Sequence, residues 1–161
     1  MDRFETFSLA LFSISRCWSR IAGEEMKRYG LKGAHAFYLV TILRRDGELT
    51  AAKVSELCGR DKADISRAVS AMESLGLLTR EGDNPYRARL KLTETGTAAA
   101  LSIRETAAGI VDRVGSDLTP EKREIFYEAL AIVSANLEGG DAHNKKMLAE
   151  YKDHIFYMGE I

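Results

Sequence analysis

Leu49-Thr50-Ala51-Ala52-Lys53-Val54-Ser55-Glu56-Leu57-Cys58-Gly59-Arg60-Asp61-Lys62-Ala63-Asp64-Ile65-Ser66-Arg67-Ala68-Val69 decides the fold. Thr50 is a good N-cap and Gly59 a good C-terminal stop, which predicts a helix of about two turns. A turn of three to four residues follows, and Asp61 can cap a second helix. Asp64 then sits at the third helical position, where its charge suits the helix N-terminus. Ile65, Val69, Met72 and Leu75 recur on one face of that helix, and Gly76 ends it. Lys62, Ala63, Ser66, Arg67 and Ser70 fall on another face.

Downstream, Leu77 to Arg80 reads as a strand leading into the turn-rich Gly82-Asp83-Asn84-Pro85. Arg87-Ala88-Arg89-Leu90-Lys91-Leu92 then alternates basic and apolar, which predicts a second strand with Arg87, Arg89 and Lys91 on one face. Short helix, tight turn, second helix and basic hairpin together make a winged helix-turn-helix. The second helix can enter a DNA major groove, and its N-terminus attracts phosphate. The hairpin arginines can reach the backbone or the minor groove.

Upstream, Phe4, Phe7, Leu11, Ile14, Trp18 and Ile21 are spaced 3-4-3-4-3, one stripe of a long helix from about Asp2 to Tyr29. Ala34 to Arg44 is a short, dense apolar helix. Beyond the hairpin the chain returns to helix at Thr93, with Ala100, Ile103, Ala107, Ile110 and Val114 in 3-4 spacing. Thr119-Pro120 starts the last long helix, Pro taking the favoured first position. Phe126, Leu130, Val133 and Leu137 are expected to be its buried stripe, ending at Gly139-Gly140. Residues 141–161 form a tail with apolar residues such as Leu148, Tyr151 and Phe156, expected to dock on the dimer, partly as helix.

Four spaced strings in this order resemble the MarR family of bacterial transcriptional regulators. They are the Leu49-Thr50 start, Asp61-Lys62-Ala63-Asp64-Ile65-Ser66-Arg67, Met72-Glu73-Ser74-Leu75-Gly76-Leu77-Leu78, and Leu92-Thr93-Glu94-Thr95-Gly96. The resemblance covers about residues 4–140. It implies a mainly α fold with a small β-hairpin wing, a winged helix-turn-helix flanked by long N- and C-terminal dimerisation helices. The expected division is 1–33 and 93–140 for dimerisation and 34–92 for the DNA-binding lobe. The resemblance further implies a homodimer whose first, fifth and sixth helices interlock, reading a pseudo-palindromic operator on double-stranded DNA.

The expected DNA contacts are Arg60, Lys62, Ala63, Ser66, Arg67 and Ser70 from the second helix and its approach, and Asn84, Arg87 and Arg89 from the wing. The family's wing arginine cluster is replaced here by a shorter tip, so either Tyr86 or Arg87 takes the usual arginine position. The resemblance also implies a pocket for a small aromatic effector, for which Cys17, Trp18, His35 and Tyr38 are the candidates. Repression relieved by such an effector is the expected function.

Composition sets the remaining limits. The 161 residues carry 23 Lys+Arg and 24 Asp+Glu, a net charge of −1, which excludes a globally basic chain but allows a local basic patch. Residues 44–93 hold ten Lys+Arg against eight Asp+Glu, so the excess lies in the expected reading lobe. No apolar run reaches the ~18 residues of a membrane span. Phe7 to Ile14 is too weakly flanked by basic residues to be a secretion signal, because Asp2 and Glu5 offset Arg3, and a cytoplasmic protein is expected. Cys17 and Cys58 cannot form a disulfide framework. A redox sensor is an alternative, but peroxide-sensing family members place their cysteine nearer the position of Ser8. A dimeric winged-helix module that no longer reads DNA is the other alternative.

No metal or cofactor is expected. Thr93 to Leu118 holds no histidine, and His143 and His154 lie eleven apart, not at ligand spacing. No catalytic triad, Cys-His pair or phosphate loop is visible, so an enzyme is not expected.

Overall fold

Asp2 opens the first helix, α1 (Arg3–Lys27), with a capping box. Glu5 N donates to Asp2 Oδ1 at 2.9 Å and Asp2 N donates back to Glu5 Oε2 at 3.3 Å. The computed structural model describes residues 2–82, 84 and 87–137. Tyr86 and the expected tail, 141–161, lie outside the described residues. Then come α2 (Ala34–Arg44), α3 (Ala51–Cys58), α4 (Lys62–Ser74), β1 (Leu78–Glu81), β2 (Arg89–Leu92), α5 (Glu94–Val114) and α6 (Pro120–Leu137). The mainly helical fold with a two-stranded hairpin is as the sequence predicts.

The chain divides into two units, one through Ala108 and one from Gly109. In the first unit the core gathers Met26 of α1, Tyr38, Leu39 and Ile42 of α2, Val54 of α3, Ile65, Val69 and Met72 of α4, Leu78 and Leu90 of the hairpin, and Ala100 and Ile103 of α5. Each large apolar side chain buried there contributes roughly 1.5–3 kcal/mol. In α4, Leu75 departs from the expected stripe and is exposed. It is the C-cap residue, where the helical register ends.

The hairpin is antiparallel, pairing Leu78 with Leu92, Thr79 with Lys91, Arg80 with Leu90 and Glu81 with Arg89. It is shorter than expected at both starts. Leu77 precedes β1, and Arg87 lies in a turn, its backbone N–H donating to the Asn84 carbonyl at 2.9 Å. A third segment flanks β2. Leu90 N donates to the Leu49 carbonyl at 2.7 Å, Gly47 N to the Leu90 carbonyl at 3.1 Å, and Thr50 bridges Arg89. Leu92 N donates to Asp46 Oδ1 at 2.8 Å. The link between α2 and α3 therefore anchors the wing, satisfying backbone groups that β1 leaves open.

The start of α5 explains the Leu-Thr-x-x-Gly string. Thr93 N donates to the Leu77 carbonyl at 3.1 Å, its hydroxyl donates to the Gly76 carbonyl at 2.7 Å, and that hydroxyl accepts from Gly96 N at 3.0 Å. A side chain at Gly96 would overlap the Leu77 carbonyl, so only glycine fits.

The second unit contains the end of α5 and all of α6. Arg123 of α6 donates to the Gly115 carbonyl at 3.0 Å and lies 3.5 Å from Asp112. The expectation that Phe126 and Leu130 are buried is not met, for both are about half exposed, as is Ile132. The α1 stripe is likewise open at Phe7, Leu11, Ile14 and Trp18, with Phe12 68 % exposed.

Candidate nucleic-acid interface

The interface is built on α3, the turn after it, α4 and the wing. Thr50 caps α3, accepting from Lys53 N at 3.3 Å, and Gly59 ends it in the left-handed conformation at φ 58°. The Ser55 hydroxyl donates to the Arg60 carbonyl at 2.5 Å and Arg60 N donates to the Ser55 carbonyl at 3.0 Å, which locks the turn. Asp61 then caps α4 through Oδ1, accepting from Ala63 N at 2.7 Å and Asp64 N at 3.2 Å. The angle between α3 and α4 is thus set by two caps and one buried serine.

That cap bears on the expected attraction of phosphate to the helix N-terminus. The N–H groups of Ala63 and Asp64 that would attract phosphate are taken by Asp61. Those two N–H groups are therefore not free to bind an anion at the helix terminus. Arg60, Lys62, Ala63, Ser66 and Arg67 are all exposed. Arg67 lies 3.7 Å from Asp64, and its side chain is 73 % exposed. Ser70 is exposed too, but its hydroxyl accepts from Arg80 of β1 at 3.0 Å. An open cleft of about 460 Å³ runs along α3 to Lys62, lined by Thr50, Ala52, Lys53, Ser55 and Glu56.

On the wing, Arg89 and Lys91 point outward while Ala88, Leu90 and Leu92 are buried, the alternation read from the sequence. Lys91 is partnered by Glu81 at 3.2 Å. Arg87 and Asn84 are exposed at the tip. Sequence reasoning missed Arg80, which binds Ser70 and lies 3.1 Å from Glu73. Strand alternation turns Arg80 to the same side as Leu78, a signal that it packs on α4 rather than facing solvent.

Of the four candidate pocket residues, His35 and Tyr38 come together on α2, ring centroids 5.9 Å apart and both buried. Cys17 and Trp18 sit on α1, half-buried and exposed, and no hydrogen bond or ring contact joins them to that pair among the described residues. Burial holds the His35 imidazole below its ordinary pKa, with Lys32 adding to the effect and Asp64 opposing it. Burial, and then the hydrogen bond to Asp64, push the Tyr38 hydroxyl up to about 12, so it stays a proton donor. The Cys58 thiol is pushed up by burial and lies 3.8 Å from the Thr41 hydroxyl, the environment of an inert cysteine. Among the described residues no three His, Cys, Asp or Glu side chains cluster as metal ligands. Among the described residues no helix is long and apolar enough to cross a membrane.

A capped helix pair, an exposed second helix and a two-stranded hairpin tied back to it define a winged helix-turn-helix. The family model of the MarR family matches residues 29–89, so this lobe is similar to that family, as its four strings indicate.

The same fold recurs in a MarR transcriptional regulator from Methanosarcina mazei Go1, with 23 % identity, a TM-score of 0.73, and 84 % of this chain and 91 % of that one covered. It recurs in a MarR-family regulator from Listeria monocytogenes complexed with a 26mer DNA (22 %, TM-score 0.72, 85 % and 89 %). It also recurs in the MepR–DNA complex of Staphylococcus aureus (18 %, TM-score 0.71, 84 % and 99 %). A comparison with curated protein sequences gives no match.

Proposed function

We propose that this chain is a sequence-specific, DNA-binding transcriptional regulator that acts as a homodimer in the cytoplasm, a repressor released by a small aromatic effector. The observation that carries the reading is the exposed face of α4, Lys62, Ala63, Ser66 and Arg67, beside the outward cations of the wing, Arg87 and Arg89. Two proteins of the same fold were solved on DNA. Arg67 reads a base edge, and Arg87 and Arg89 hold the phosphate backbone or the minor groove.

A second copy of the chain covers the open apolar faces of α1 and α6, since exposed Phe12, Ile14, Ile125 and Leu130 are costly in water. Two reading helices related by a two-fold axis then meet half-sites about one helical turn apart, roughly 34 Å. An effector near His35 and Tyr38 releases DNA only by the difference in its affinity for the two arrangements of the dimer.

The experiment is selection of bound sites from a random DNA pool. An enriched inverted repeat supports the reading. Arg67→Ala then costs about 1–3 kcal/mol and relaxes one base position, whereas Arg87→Ala or Arg89→Ala weakens all sequences alike. No enrichment by a folded dimer, with and without aromatic acids present, overturns it.

A further inference from the structure

Tyr38 of α2 and Asp64 of α4 are 26 residues apart, yet the Tyr38 hydroxyl donates to Asp64 Oδ2 at 3.0 Å. The tyrosine is 1 % exposed, so its ring is held by the core. Asp64 therefore has one oxygen fixed by a rigid donor. Its other oxygen, Oδ1, lies 3.7 Å from Arg67 Nη2, one helical turn along α4. A long arginine side chain loses much rotational freedom when it engages a base. A carboxylate already held in place restricts that side chain beforehand.

Resting on the DNA-reading function above, we propose that Tyr38 and Asp64 are positioning residues that hold Arg67 in a reading orientation, so that a core residue of α2 sets base discrimination on α4. Neither residue touches DNA in this scheme. Tyr38 acts through Asp64, and Asp64 acts through Arg67. The pairing also accounts for an acidic side chain at the front of a helix that must approach phosphates. Asp61 already serves as cap, so Asp64 is not needed for capping.

The test uses the full chain and compares binding to the selected site with binding to variants changed at each base position. Tyr38→Phe keeps the ring in the core and removes only the hydroxyl. It is expected to reduce discrimination at the Arg67 position roughly 3- to 10-fold, part of what a bidentate arginine provides. Affinity for random-sequence DNA is expected to stay within about twofold.

In an Arg67→Ala background the same change is expected to alter nothing, which a merely structural role would not predict. Asp64→Asn, which still accepts from Tyr38 but loses the charge facing Arg67, is expected to reproduce the loss, and it serves as the second variant if Tyr38→Phe folds poorly. Equal effects with and without Arg67, or unchanged discrimination in both variants, overturn the relay while leaving DNA reading intact. A wild-type protein that enriches no sequence overturns the DNA-reading function, and the relay with it.

Discussion

Arg80 of β1 donates through Nη2 to the Ser70 hydroxyl of α4 at 3.0 Å, and its Nε lies 3.1 Å from Glu73. This contact fixes the wing against the reading helix. Arg80→Ala is expected to cost about 1 kcal/mol of stability, the scale of one such bond. DNA affinity should fall further than stability does, because the wing is no longer aimed. Urea unfolding and a binding titration on the same preparation measure both, and a loss of stability with unchanged affinity would refute the aiming role.

Gly96 lies under the Leu77 carbonyl, where any side chain overlaps backbone rather than a flexible neighbour. Gly96→Ala must push α5 away from the strand entrance and break the bonds Thr93 makes to Leu77 and Gly76. A loss of about 3 kcal/mol is expected. A melting temperature equal to that of the wild type would contradict the packing described.

His35 is buried, and its Nδ1 finds no hydrogen-bond partner among the described residues. Its pKa is lowered on folding, so as the pH falls below the ordinary 6.5 the unfolded chain takes up a proton that the folded chain refuses. The stability contributed by neutral His35 is present above that pH and is lost progressively below it. Melting temperatures between pH 7.5 and 5.5 should fall more steeply for the wild type than for His35→Gln. Parallel slopes would remove His35 from the account.

Cys58, with its thiol pKa raised by burial, should react slowly with iodoacetamide at pH 8 in the folded protein and much faster in urea. Mass mapping of the alkylated residue follows this directly. Equal rates in the two states would reopen a redox role for that cysteine.

Much of the winged helix-turn-helix lobe was legible in the sequence, because caps and periodicity act over a few residues. Thr50, Gly59 and Asp61 each satisfy backbone groups within five positions, and the basic-apolar alternation at Arg89 to Leu92 obeys the strand period. The α2 and α6 starts, Ala34 and Pro120, were likewise local matters. Not legible were the wing's attachments to the link between α2 and α3: Asp46 to Leu92 and Leu49 to Leu90. Hairpin-like pairing to a segment some 40 residues upstream leaves no local pattern.

The sequence by itself determined which segments become helix, turn and strand, and which face of α4 carries Lys62, Ser66 and Arg67, since 3.6-residue geometry assigns faces without reference to neighbours. Tertiary structure alone decided that Asp64 answers to Tyr38, that Asp61 occupies the helix N-terminus, and that the stripes of α1 and α6 stay partly exposed among the described residues. The reason is that periodicity says a face is apolar but not what covers it, and a hydrogen bond across 26 residues exists only once the core has brought its two ends together.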